Sequence, residues 1–209
     1  MVFRFHLRKM RHKLAADGAV TYQLRGMEKD DEILEELNPY LGQKIKIEYQ
    51  DQINCISCNR KTNKSFNQGY CFKCFRSSAS ADMCIMKPET CHYHLGTCRE
   101  PDWGLKHCMI EHIVYLANTS QLKVGLTRAH LRHQRWADQG ATQALAILGA
   151  KTRYHAGLAE AALAQEMADK TNWRALLQGN NQPLPLQSIW DNVRKKMKSF
   201  EGVKVLEGE

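Results

Sequence analysis

The sequence predicts an α+β protein: a small β-rich, cysteine-dense module, then a core of hairpin, helix, strand and helix, with further helices at the C-terminus. Three observations carry this. All eight cysteines fall between Cys55 and Cys108. Beyond them, runs of period two and runs of helical spacing alternate along the chain rather than segregating. The composition, 43% hydrophobic and 25% charged over 209 residues, is that of a globular chain and excludes wholesale disorder. No apolar stretch approaches the length of a membrane span, and the basic N-terminus lacks the apolar core of a secretory signal, so a cytoplasmic protein is expected.

Composition divides the chain into four segments. Residues 1–50 form an N-terminal, β-containing segment. They open on a basic patch (Arg4, Arg8, Lys9, Arg11, Lys13) and a short strand at Val20–Leu24. The acidic run Glu28, Asp30, Asp31, Glu32, Glu35, Glu36 then reads as a solvated helix face. Lys44–Tyr49 alternates with period two and reads as a half-buried strand leading into the first cysteines. Residues 51–110 are the cysteine-rich module and residues 111–180 the mixed core. In that core His112–Ala117 and Leu122–Leu126, joined by Asn118-Thr119-Ser120, read as a hairpin. Thr127 is placed to cap a helix running to Gln139, which Gly140 ends. Ala144–Ala150 reads as a third strand, Gly157–Lys170 as an alanine-rich helix and Trp173–Leu177 as a short one. Residues 181–209, beyond Pro183 and Pro185, form a basic amphipathic helical tail at Ser188–Phe200.

The cysteine spacing carries the most chemistry. Cys55-Ile56-Ser57-Cys58 and Cys71-Phe72-Lys73-Cys74 are two C-x2-C pairs separated by twelve residues. Two such knuckles joined by a hairpin give closed tetrahedral thiolate coordination, the geometry of a structural zinc site with no position left for water. A disulfide framework is disfavoured in a cytoplasmic chain. The second set, Cys84, Cys91, Cys98 and Cys108, has gaps of six, six and nine residues. These four thiols are the expected ligands of a second zinc ion, with His92, His94, His107 and His112 as substitutes. The first module resembles a zinc ribbon. Lys61, Lys64, Lys73 and Arg76 interleave there with Phe66, Tyr70, Phe72 and Phe75, a pattern that serves either a nucleic-acid face or the packing of a very small domain.

The net charge of +8 makes polyanions the first partners to consider, because basic side chains gain free energy by releasing counterions from phosphates. The hairpin sharpens this. Ile113-Val114-Tyr115 and Lys123-Val124-Gly125-Leu126-Thr127 resemble the paired motifs of GIY-YIG nuclease domains, in the branch whose second motif reads lysine-isoleucine-glycine. The resemblance covers roughly 112–170 and implies a ββαβα core. Joined to the ribbon, with Lys64-Ser65-Phe66, Gln68-Gly69-Tyr70-Cys71 and Gly96-Thr97-Cys98-Arg99, the chain also resembles an uncharacterised prokaryotic family over about 40–178. The nuclease resemblance implies four site residues. Tyr115 orients or deprotonates a water, Lys123 adds charge or a proton, Arg135 clamps phosphoryl oxygens, and Glu160 holds one magnesium or manganese ion. Arg132 is a rival to Arg135, and Lys123 stands where the namesake motif has its second tyrosine. Trp136-Ala137-Asp138-Gln139-Gly140 is a distinctive patch read as packing. No glycine-rich phosphate loop is present. The sequence therefore predicts a nucleic-acid-binding protein and metal-dependent phosphodiesterase acting on DNA or RNA. The alternative is a noncatalytic nucleic-acid-binding protein or an adaptor on a larger protein complex.

Overall fold

The computed structural model describes residues 4–28, 31–166, 182–195 and 198–207. It is a mixed α and β structure with antiparallel sheets. It divides into two compact units, Met1–Asp82 and Met83–Glu209, so the boundary falls between the first and second cysteine sets.

The first unit begins with a three-stranded antiparallel sheet of β1 (His6–Leu14), β2 (Val20–Glu28) and β3 (Asp31–Glu36). The acidic run expected as a helix face thus includes a strand, with Gln23 opposite Glu36 and Glu28 opposite Asp31. The reason is charge placement. In a helix these carboxylates would repel at i,i+4, whereas across the sheet Glu32 accepts from Arg25 Nε at 2.6 Å and pairs with Arg11 at 3.0 Å. The strand expected at Lys44–Tyr49 is absent. Those residues are exposed, Ile45 and Ile47 at 62% and 71%, and belong to no ladder. Alternation describes one face of a strand, but a strand exists only by pairing. A two-residue hairpin follows, β4 (Ile53–Asn54) against β5 (Lys61–Thr62), then the short helix α1 (Phe72–Ser77).

The second unit starts with α2 (Met83–Met86), tight turns at Pro88–Thr90 and Tyr93–Leu95, and α3 (Pro101–His107). Then come β6 (His112–Asn118), β7 (Leu122–Arg128), α4 (Arg132–Asp138), β8 (Gln143–Ala150) and α5 (Arg153–Glu166). The hairpin and third strand lie where the sequence put them. Thr127 does not cap α4: it pairs with Ile113 inside the β6–β7 ladder, and a tight turn at Ala129–Leu131 intervenes. A β-branched residue whose backbone groups complete a ladder stays in the strand. Gly140, at φ 64°, follows α4 in the left-handed conformation that stops helices.

The expected tail is part of the core. Helix α6 (Leu186–Arg194) buries Leu186 and Trp190 in the main apolar cluster, and β9 (Val203–Val205) pairs with β8 as the fourth strand, giving the order β7-β6-β8-β9. The helix expected at Trp173–Leu177 lies outside the described residues.

Alternation along β6 sorts the sheet's two faces. Val114 and Leu116 pack with Val124, Ile147 and Leu148 and with Ala156, Ala159 and Leu163 of α5. Ile113, Tyr115 and Ala117 pack with Ala146 and, on α4, Trp136. Among the described residues no helix is long and apolar enough to cross a membrane.

Candidate functional site

In the first unit Cys55, Cys58, Cys71 and Cys74 bring their sulfurs within 4.8 Å of one another, and none is in a disulfide. Four thiolates at the zinc–sulfur bond length around a tetrahedral ion stand about 3.8 Å apart. The Cys58 and Cys71 sulfurs are 3.8 Å apart, so donor type and spacing both fit a metal ion such as zinc. Local turns build the set. Cys55 N–H donates to the Arg60 carbonyl and Asn59 N–H returns to the Cys55 carbonyl, both at 2.9 Å, with Asn59 left-handed at φ 56°. Ile56 N–H reaches the Gly69 carbonyl at 2.9 Å. Gly69 has φ 134°, and a Cβ there would meet the Ile56 side chain. The second pair is not a second β knuckle: Cys71 caps α1 and Cys74 lies within it. Phe72-Lys73 and Phe75-Arg76 lack the Asn or Gly that a left-handed turn needs, so the pair opens a helix.

The four sulfurs compete for protons. Burial alone would raise the Cys55 thiol, but backbone hydrogen bonds from Cys58, Cys71 and Ser57 pull it down to about 6. The Ser57 hydroxyl alone would lower Cys74, but burial and the three neighbouring sulfurs drive it up to about 12. A divalent cation removes that competition. Beside the cluster, Phe66 packs on Phe72 and Phe75 at 5.4 and 5.8 Å, and Lys64 and Arg76 lie over Phe66 and Phe72.

The second cysteine set is arranged differently. Cys91 and Cys108 are buried, and Cys84 and Cys98 are half-buried. Among the described residues no three of them share one ligand-sized space. The Cys84 sulfur lies within 4.8 Å of a His92 ring nitrogen. Burial raises the Cys108 thiol, and the nearby Cys91 and Cys98 add to this. Of the substitute histidines, His107 Nδ1 reaches the Trp103 carbonyl at 2.8 Å and His94 packs on Tyr154. His112 donates from Nδ1 to the Ile110 carbonyl at 2.8 Å. Its buried Nε2 has no partner, and burial pulls its pKa down to about 4.

The four residues implied by the hairpin resemblance converge in the second unit. Tyr115 and Lys123 sit on β6 and β7, Arg135 on α4 and Glu160 on α5. Tyr115 is fully buried, and its hydroxyl lies 2.7 Å from where a Cβ on Gly125 would stand, so only glycine fits opposite it. Burial raises the Tyr115 phenol, against the pull of the nearby Arg135 guanidinium. Burial pushes the Glu160 carboxyl up to about 7, opposed by Arg153, Lys123 and Arg135 and reinforced by Glu89. Of the two rival arginines, Arg135 acts electrostatically on Tyr115 and Glu160, while Arg132 donates to His133.

Sequence reasoning missed three neighbours. Arg153 lies two turns before Glu160 on α5, a spacing that puts both on one helix face and was available as a signal. Its Nη2 donates to the Ile85 carbonyl at 2.7 Å, and its buried Nε has no partner. Glu89 sits in the turn that packs on Gly157, where a Cβ would fall 2.6 Å from the Glu89 nitrogen. Gln139 accepts the Tyr115 hydroxyl at 2.6 Å. It lies inside the Trp136–Gly140 patch, which the sequence marked without giving it a role.

A half-buried carboxylate with three cations and a phenol around it can hold a divalent cation and receive a phosphoryl group. No curated protein and no solved structure matches the chain. Residues 42–207 match the family described as protein of unknown function (DUF2797), and because that match spans most of the 209 residues the chain belongs to this family.

Proposed function

We propose that the chain is a cytoplasmic nucleic-acid-binding protein whose second unit is a metal-dependent phosphodiesterase of GIY-YIG type, and whose first unit is held by structural zinc at Cys55, Cys58, Cys71 and Cys74. The observation that carries the catalytic reading is the convergence of Tyr115, Lys123 and Arg135 on the half-buried Glu160. An acid driven up to about 7 by burial is an incomplete arrangement that a cation completes. Magnesium or manganese at Glu160 would supply charge to the phosphoryl oxygens and the leaving oxygen. Arg135 offers a planar fork for the non-bridging oxygens. Lys123 adds positive charge beside the reacting phosphate. Tyr115 is a neutral phenol at physiological pH, so it orients the attacking water rather than serving as a base.

The test is cleavage of end-labelled DNA and RNA by zinc-loaded protein with magnesium or manganese, beside Glu160→Ala. Cutting by the parent alone supports the reading, and the labelled products identify the preferred nucleic acid. If neither protein cuts but both retard the probe with a steep salt dependence, the second unit is a binding surface. The cations over aromatic rings at Lys64–Phe66 and Arg76–Phe72, in the first unit, favour a noncatalytic nucleic-acid-binding reading of the chain as a whole. Association with a protein complex that survives nuclease and high salt would instead identify an adaptor.

A further inference from the structure

We infer that Gln139 is the positioning residue for Tyr115: it takes the phenol's proton and so leaves the phenol oxygen to act toward the site as an acceptor. This rests on the phosphodiesterase reading and extends it to a residue which that reading does not use.

The ring of Tyr115 has little freedom. It is fully buried, packs edge-on against Trp136 at 6.0 Å, and lies over Gly125 with its oxygen 2.7 Å from the missing Cβ position. The remaining variable is where the O–H points. The hydroxyl donates to Gln139 Oε1 at 2.6 Å, and the Arg135 guanidinium stands nearby. With its proton directed at Gln139, the phenol oxygen has only acceptor capacity left for the site. A water brought against this buried oxygen must donate to it, which leaves the water's own lone pairs for phosphorus. A phenol donating to the water would instead tie up one of the water's two lone pairs and withdraw electron density from the attacking oxygen. The assignment of the amide follows from the same count. Arginine only donates, so the phenol proton needs an acceptor, and Gln139 Oε1 stands in range.

Gln139 is suited to the task because its backbone is fixed. It closes α4, its N–H reaching the Arg135 and Trp136 carbonyls at 3.2 Å. The same short helix and its C-cap therefore deliver Trp136 against the ring and Gln139 to the proton. This gives the Trp136–Gly140 patch a function.

The experiment compares Gln139→Met, which keeps the length but removes the acceptor, with Gln139→Glu, which keeps an acceptor. Two readouts are taken on the full zinc-loaded chain: the Tyr115 ring-carbon resonance beside the hydroxyl, in protein labelled on tyrosine and assigned with Tyr115→Phe, and cleavage kinetics on labelled DNA and RNA with manganese. The expected result is a displaced resonance in Gln139→Met and a kcat reduced about tenfold or more with KM within about twofold, as for a misaligned nucleophile. Gln139→Glu should restore the resonance and most of kcat. An unmoved resonance in folded Gln139→Met overturns the inference, and so does a moved resonance with unchanged kcat. If the parent itself does not cut, the phosphodiesterase reading falls; the resonance alone then decides whether Gln139 directs the phenol.

Discussion

The four-cysteine centre and the Tyr115–Glu160 site are built in opposite ways. Each cysteine pair spans four residues, and local turns and one short helix set the sulfur positions. Tyr115, Lys123, Arg135 and Glu160 come from four different elements, and only the β6–β7 ladder and the packing of α4 and α5 bring them together. In the first, the four clustered thiols are of the type and spacing that fit a metal ion such as zinc. In the second, the frame stands on its apolar core, and the acid carries an electrostatic penalty inside it. A centre made from local segments needs a ligand to become rigid, whereas a centre assembled by a core is rigid before any ligand arrives.

The largest expected effect tests the first half of that contrast. Stripping metal from the cysteine centre, or replacing Cys55 by Ser, removes a contribution on the order of 10 kcal/mol. Hydrogen-exchange protection should vanish around β4, β5 and α1 while β6, β7 and β8 keep theirs. Equal loss in both units would erase the distinction between them.

Next is the frame of the assembled site. Trp190 is 1% exposed and packs in the cluster that contains Ile147, Leu148 and α5. Trp190→Ala should cost about 3–5 kcal/mol, read by denaturant unfolding, with zinc content unchanged. A loss under about 1 kcal/mol would mean that α6 is an appendage, as the sequence had suggested.

How much was legible follows from the same contrast. The Cys55–Cys74 set was readable because its spacing is itself the geometry. The hairpin and β8 were readable because apolar, β-branched runs mark strands buried on both faces. Lys44–Tyr49 alternates equally well and yet finds no partner; pairing is a tertiary choice that periodicity does not encode. The acidic run failed for a related reason, since its charges are set against Arg25 and Arg11 on other strands rather than along one helix. In the site, Tyr115 and Glu160 came from a resemblance, and helix phase alone did not decide between Arg132 and Arg135. Gln139 was invisible in its role because its contact with Tyr115 crosses 24 positions.

The third prediction concerns the penalty in the assembled site. The Glu160 carboxyl is raised from 4.5 to about 7, so the folded state holds its proton more tightly than the unfolded state. That stabilisation is complete below 4.5 and is lost as pH rises to 7, about 3 kcal/mol at about 1.4 kcal/mol per pH unit. His112, lowered from 6.5 to about 4, acts in the other direction: its contribution is present above 6.5 and lost as pH falls toward 4. The two slopes oppose each other between 4.5 and 6.5. Glu160→Gln should match the parent near pH 4.5 and exceed it by about 3 kcal/mol at pH 8, exposing the His112 slope. Added manganese should close the gap by stabilising the parent alone. Parallel pH curves for the two proteins, by thermal melting without added divalent metal, would show that Glu160 carries no such penalty.

The smallest effect asks whether charge across strands, without burial or metal, fixes local structure in the first unit. Glu32 accepts from Arg25 at 2.6 Å and pairs with Arg11 at 3.0 Å, joining all three strands, but each of these side chains is about a third or more exposed to solvent. Exposed pairs contribute little and are screened by salt. Glu32→Gln should therefore lower stability by under about 1 kcal/mol, with the difference fading at about 1 M salt. If the acidic run were a helix, Glu32→Gln would relieve repulsion and stabilise it. The sign of a small change at low salt thus separates the strand from the helix, and it shows how weak an interaction suffices once a neighbouring strand is already in place.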